Sequence, residues 1–273
     1  MPTTQTLIFA VIQGITELFP ISSVAHGVLT PFLFGWHLDP TFLKEHFLPF
    51  VVMLHLGTAM ALLVYFRRDW LALLTGALTG RADGARRTLV LIVVATLPAA
   101  VLGLAFEGIL RGLFSSVAVA AAFLMVNGLL LFFGERLRGR GTAEIGQLSY
   151  AQAGIIGLAQ SLALVPGFSR SGASMVAGFW MGLKHEAAAR FSMLLATPII
   201  AGAGILEVPK LLKSGGGETL NAAVLGGIAA GLCAFAAVWG LMRWFRRHEV
   251  DAMRPFAFYC WIVGATVLAI DLL

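Results

Sequence analysis

Six apolar stretches of about 20 residues each limit what this chain can fold into, because a helix of that length spans the hydrocarbon core of a bilayer. They lie at roughly 46–66, 86–106, 114–133, 187–207, 219–242 and 254–272. Of 273 residues, 59% are hydrophobic and 12% charged, and mean hydropathy is +0.88, far from soluble usage. The chain therefore reads as an all-α integral membrane protein, a single membrane domain over 1–273 with the bilayer as its solvent. No Lys or Arg precedes Lys44, so the start lacks the basic region of a secretory signal peptide and the first apolar stretch is expected to be retained.

A net charge of +5 and a pI near 9.7 raise the question of a nucleic-acid partner. The basic residues flank the apolar stretches instead of sharing one soluble face, so no nucleic acid is expected. Arg67, Arg68, Arg81, Arg86 and Arg87 form one group, Arg136, Arg138 and Arg140 a second, Lys184 and Arg190 a third, and Arg243, Arg246, Arg247 and Arg254 a fourth. The other connections hold only Lys44, Arg111, Lys210 and Lys213, so the positive-inside rule puts the first set in the cytoplasm. Cys233 and Cys260 fall inside spans without metal or redox spacing and read as small packing residues.

Two further apolar stretches are interrupted by proline and serine. One runs from about Thr6 to Phe34 and breaks at Phe19-Pro20-Ile21-Ser22-Ser23; the other runs from about Tyr150 to Leu183 and breaks at Pro166-Gly167-Phe168-Ser169-Arg170-Ser171. Each half is too short to span, which predicts re-entrant helix-loop-helix hairpins. The order Gln13 … Leu18-Phe19-Pro20-Ile21-Ser22 resembles Gln160 … Leu164-Val165-Pro166-Gly167-Phe168-Ser169. The chain thus reads as two repeats, about 1–135 and about 149–273, each a hairpin followed by three spans, joined by the polar stretch Gly134 to Ser149. Three crossings per unit invert the second repeat relative to the first. Inverted repeats whose broken helices meet near the midplane build membrane sites.

The breaks collect the chemistry. Gln13 and Glu17 lie four apart on one helix face, and a carboxylate at that depth needs a cation, a polar cavity or a proton. Ser22 and Ser23 follow Pro20, where a serine caps the next half-helix and its free N–H groups face an anion. His26, three residues after Ser23, sets a potential base beside a hydroxyl nucleophile. In the second break Ser169, Arg170 and Ser171 precede a small-residue helix with Ser174 one turn on. The planar guanidinium fork of Arg170 matches phosphate oxygens, and an ion pair with Glu17 is its other use. His55, in Met53-Leu54-His55-Leu56-Gly57-Thr58, suits a helix-to-helix hydrogen bond better than a cavity lining, and Asn127 reads the same way. His37, His46, His185 and His248 fall at helix ends and are expected to be solvated.

Gln13-Gly14-Ile15-Thr16-Glu17-Leu18-Phe19-Pro20-Ile21-Ser22-Ser23 with His26 resembles the first signature of the bacterial undecaprenyl-pyrophosphate phosphatases, the bacitracin-resistance (BacA) family. Pro166-Gly167-Phe168-Ser169-Arg170-Ser171-Gly172-Ala173-Ser174 is similar to the second, and His55-Leu56-Gly57-Thr58 extends the likeness. Gln13 stands where many members have glutamate, Val24-Ala25 where Thr-Gly is usual, and Ser174 where threonine is usual. The resemblance implies hydrolysis of the terminal phosphate of undecaprenyl pyrophosphate, recycling a carrier lipid for the cell wall, with a divalent cation, Mg²⁺ or Ca²⁺. It implies that Glu17 and Gln13 hold the cation, that Ser23 or His26 is nucleophile or base, and that Arg170 grips the pyrophosphate. Ser22, Ser169, Ser171 and Ser174 become supporting donors. It further implies a multi-pass protein of the bacterial inner membrane whose site opens to the periplasmic side, a polyprenyl pyrophosphate partner and a homodimer.

The mechanism expected at this point is in-line attack by Ser23 with His26 taking its proton, or activation of water by His26. The rival from another class is a transporter that flips undecaprenyl phosphate or a related anionic lipid, since half-helices aimed at an anion suit alternating access.

Overall fold

The computed structural model describes residues 2–38, 46–79, 83–106, 108, 116–136, 141–214, 217–248 and 251–273. In chain order its helices are α1 (Thr3–Thr16), α2 (Ser23–Leu33), α3 (Phe47–Tyr65), α4 (Arg67–Thr79), α5 (Asp83–Ala105), α6 (Val117–Arg136), α7 (Tyr150–Gln160), α8 (Arg170–Trp180), α9 (His185–Ser214), α10 (Gly217–Arg247) and α11 (Arg254–Asp271). Short 3₁₀ turns occupy Ile145–Gln147 and Ser161–Leu164. No strand occurs among the described residues. Lys44, Arg81, Arg111, Arg138 and Arg140 lie outside them.

Among the described residues six helices, α3, α5, α6, α9, α10 and α11, are long and apolar enough to cross a membrane. Their outer faces carry large apolar side chains, among them Val101 (60% exposed), Leu232 (71%) and Ile262 (66%). Water would oppose that exposure at about 25 cal/mol per Å² of apolar surface, whereas hydrocarbon accepts it. With 30 and 31 residues, α9 and α10 run past their apolar stretches. The added turns hold Lys210 and Lys213 in one case and Arg246 and Arg247 in the other, as expected where a helix leaves the bilayer.

Inside, spans approach closely where side chains are small. α3 packs along α10 and α9, and a Cβ added at Gly57 would collide with the backbone carbonyl of Gly227. That contact is available only to glycine and brings two backbones together without a hydrophobic driving force.

Three local features differ from the sequence reading. The stretch between the first two spans contains α4, whose buried Leu73 and Gly76 pack toward α5 and whose Asp69 pairs with Arg190. Its thirteen residues are too few to cross and too polar in the first turn to register as an apolar stretch. Gly134 to Arg136, read as linker, complete α6. His185, expected in solvent, is 3% exposed, and its Nε2 lies 2.8 Å from Oε1 of Glu135, also buried. The same carboxylate accepts the backbone N–H groups of Ala252 (2.8 Å) and Met253 (2.9 Å) just before α11. One acidic group thus staples three helix ends, satisfying donors that a helix start leaves free.

α1 and α2 form a broken pair, as do α7 and α8. Each of the four has 11 to 14 residues, roughly 17 to 21 Å at 1.5 Å per residue, well short of a 30 Å core. Ser22 caps α2 by accepting the N–H of Ala25 (3.2 Å), and Ser169 caps α8 by accepting that of Gly172 (3.1 Å). At Gly167 φ is +112° and a Cβ would strike Phe123, so the second break fits against α6 only with glycine there.

Candidate active site

Glu17 closes the C-terminal end of α1, its N–H bonded to the Gln13 carbonyl, and its side chain is buried at 7% exposure. A carboxylate taken out of water needs partners on both oxygens. Oε2 accepts the Ser23 hydroxyl at 2.6 Å and the Gln13 amide at 3.3 Å, and lies 3.1 Å from His55 Nε2. Oε1 lies 3.3 Å from Arg170 Nη2. Ser23 begins α2 and Arg170 begins α8, so the group joins both breaks.

Arg170 is anchored by a hydrogen bond from Nη1 to the Ser192 carbonyl on α9 (3.0 Å), while its buried Nε has no partner. A free donor edge on a fixed guanidinium is what an anion oxygen requires. Ser174 donates to the Arg170 carbonyl at 2.8 Å and its oxygen lies 2.7 Å from Ser192 Oγ, within reach of that hydroxyl's proton, holding the first turn of α8 against α9. Ser169 and Ser171 share a hydroxyl contact of 3.0 Å, and Ser171 donates to the Phe19 carbonyl at 3.1 Å.

Asn127 ties the breaks together from α6. Its Nδ2 donates to the Pro20 carbonyl at 2.9 Å and its Oδ1 accepts the Ser169 N–H at 3.0 Å, with the side chain fully buried. Asn127→Ala leaves both backbone groups without a partner, at about 1–3 kcal/mol each, and loosens the spacing between Ser23 and Arg170. Misplacement of that kind costs on the order of 10²-fold in rate. Steady-state kinetics of the variant are expected to show that fall in kcat.

The structure therefore gathers Gln13, Glu17, Ser23 and Arg170, with Ser22 and Ser169 in the wall of the same cavity. The cavity encloses about 250 Å³, and its remaining wall is mostly apolar, including Val51, Leu164, Ile199 and Ile200. A larger one of about 560 Å³, lined by Asp69, Glu144, Lys184 and Arg190, contains none of the signature residues. Ser171 and Ser174 hold backbone and neighbouring hydroxyls.

The expected hydrogen bond between Ser23 and His26 is not formed. His26 follows Ser23 by three residues, but its ring nitrogens reach the Ser22 carbonyl (2.7 Å) and Tyr259 OH (2.8 Å), and the Ser23 hydroxyl is held by Glu17 instead. His55, whose sequence context suits a helix-to-helix bond, makes that bond to Glu17 and lines the cavity too. Ser192 carries no signal in the sequence, because nothing distinguishes one serine in an apolar helix until α8 is packed against it.

Chemically, the cluster offers a hydroxyl hydrogen-bonded to a carboxylate, beside an arginine with an unused donor, in the wall of a mostly apolar cavity. The family model described as "Bacitracin resistance protein BacA" matches residues 6–266. The chain belongs to the BacA family. Members similar to it include a protein of Oenococcus oeni named undecaprenyl-diphosphatase 2, 53% identical across 97% of each chain. Another with that name, from Chromobacterium violaceum, is 51% identical across 98% of each. An undecaprenyl-diphosphatase of Acidiphilium cryptum is 48% identical, covering 96% of this chain and 95% of its own. Both breaks, with Glu17, Ser23 and Arg170, lie inside the residues that the BacA model matches.

Proposed function

We propose that this chain hydrolyses the terminal phosphate of undecaprenyl pyrophosphate, yielding undecaprenyl phosphate and phosphate. The observation that carries the reading is the meeting of Ser23, Glu17 and Arg170 in one cavity of a BacA chain whose full-length relatives are named undecaprenyl-diphosphatases. The apolar wall suits the first isoprene units of a lipid, and the polar end suits a diphosphate.

In this mechanism Ser23 Oγ attacks the terminal phosphorus in line while its proton passes to Glu17 Oε2, already 2.6 Å away. The bond from that phosphorus to the bridging oxygen breaks, and undecaprenyl phosphate leaves with that oxygen. Water then attacks the phosphoserine, Glu17 returns the proton to Ser23 Oγ, and the water's remaining protons leave with phosphate. Arg170 holds the equatorial oxygens with its free Nε–H and its fork. Without substrate the same fork rests on Glu17, so the ion pair and the anion site are two states of one residue. Positioning and electrostatic stabilisation supply most of the acceleration, as phosphoryl transfer asks little else of a protein.

A divalent cation, Mg²⁺ or Ca²⁺, fits the donors present. The Glu17 carboxylate and Ser23 hydroxyl are hard oxygen ligands in the cavity wall, Gln13, whose Nε2 faces Glu17 at 3.3 Å, offers an amide oxygen once that amide turns, and one carboxylate shared with phosphate oxygens is a common mode for Mg²⁺. Glu17 and Gln13 would hold it, and when bound it supplies charge neutralisation on the diphosphate.

The same reading takes the two broken pairs as re-entrant hairpins of two inverted repeats, about 1–135 and 149–273. The recurring order supports it: α1 and α2 precede the spans α3, α5 and α6, and α7 and α8 precede α9, α10 and α11. Clustered arginine in the first set of connections supports a bacterial inner-membrane orientation with the site open to the periplasm.

Phosphate release by the purified protein in detergent tests the function, since no compartments remain for a transporter to work between. Release from undecaprenyl pyrophosphate with Mg²⁺ or Ca²⁺, lost on chelation and restored by adding the cation back, is the expected result. No release under any of these conditions removes hydrolysis and leaves lipid transport as the reading.

A further inference from the structure

We infer that His26, held by Tyr259 of α11, is a positioning residue that fixes the strained Ser22–Ser23 turn and so aims the attacking hydroxyl; the inference rests on Ser23 as nucleophile. Ser22 has φ +66° and ψ +94°, a backbone conformation rare outside glycine, and it is one of only two such non-glycine residues among those described. Strain of this kind persists only where surrounding contacts over-determine it. The Ser22 carbonyl, part of the peptide plane that sets the Ser23 Cα, accepts two hydrogen bonds from His26: one from its backbone N–H (3.3 Å) and one from ring Nδ1 (2.7 Å). A ring nitrogen facing a carbonyl must carry the proton, which leaves Nε2 of the neutral ring as an acceptor. Tyr259 OH sits 2.8 Å from that Nε2, and the two rings are nearly parallel at 14°.

Both imidazole nitrogens are thereby used, neither on Ser23. The Ser23 hydroxyl already has an acceptor in Glu17 at 2.6 Å, so no vacancy for a second base exists beside it. A chain of contacts instead leads from the last span to the reaction site: Tyr259 orients the His26 ring, the ring pins the Ser22 carbonyl, and the pinned peptide presents Ser23 to Glu17.

The test compares His26→Asn, His26→Ala, Tyr259→Phe, Tyr259→Phe combined with His26→Asn, and Ser23→Ala, using undecaprenyl pyrophosphate and purified protein checked for monodispersity. An asparagine amide can replace the Nδ1–H bond to the Ser22 carbonyl but cannot accept a proton. His26→Asn is therefore expected to keep kcat within about tenfold of the parent, while His26→Ala falls about 10²-fold. Tyr259→Phe, which removes one oxygen, is expected to lower kcat about three- to tenfold with KM unchanged, and to add nothing in the His26→Asn background. A merely structural contact would move stability in both backgrounds and spare kcat. The inference is overturned if His26→Asn is as inactive as His26→Ala, or if Tyr259→Phe leaves kcat untouched. Full activity in Ser23→Ala overturns it together with the nucleophile, whereas loss there with an inactive His26→Asn overturns only the role given to His26.

Discussion

Replacing Arg170 with alanine is expected to lower kcat/KM for undecaprenyl pyrophosphate by about 10³-fold, the range seen when a fixed transition-state donor is removed from a water-poor site. Arg170 carries the second break to the Glu17 cluster, and Ser192 and Ser174 lock its approach. Its loss removes a charge and a planar fork together and leaves Glu17 with one fewer cation. Arg170→Lys separates these: it keeps the charge and loses the fork and Nε–H, so it should recover only part of the rate. Steady-state kinetics on both variants is the measurement, and a lysine variant with parental kcat would reduce the guanidinium to a point charge.

Ser23→Ala is expected to have the second large effect, a fall in kcat of about 10³-fold or more, with substrate still bound. Glu17→Gln should fall comparably, because the amide keeps the shape but cannot take the proton that the 2.6 Å hydrogen bond delivers. The two residues act as a unit, so the double variant should be little worse than either single one. Additive losses would mean that the carboxylate serves a step in which the hydroxyl has no part.

Much of this architecture was legible before any coordinates, for physical reasons that also explain what was not. A bilayer demands about 20 apolar residues per crossing, and this demand is written locally at Phe47–Tyr65 or Val117–Arg136 without reference to the rest of the chain. Pro20 and Pro166-Gly167 likewise announce broken helices, because proline has no N–H to continue one. That both breaks carry polar groups pointed to one site, and Glu17 does meet Arg170.

Rotation of one helix against another is another matter. The three-residue spacing of Ser23 and His26 set them on neighbouring positions, yet the side chains diverge because α11 offers Tyr259 on one side and α1 offers Glu17 on the other. His55 reaches Glu17 because α3 turns that face toward α1, and no local pattern in a helix apolar on all sides encodes the turn. Asn127 was read as structural; the bridge it makes between Pro20 and Ser169 spans elements distant in sequence. Glu135 and His185 would each be costly alone in the interior, and their pairing, with the Ala252 and Met253 N–H groups on the same carboxylate, makes the burial tolerable.

Rapid quench of turnover on substrate radiolabelled in its terminal phosphate, in acid and in parallel in neutral denaturant that preserves a phosphohistidine, followed by peptide mapping, tests most directly whether the two breaks form one reaction centre. Label on Ser23 early in turnover, and none in the Arg170→Ala variant, is the result this account requires. Phosphate released at full rate with no label on the protein, or with label on His26, would contradict it.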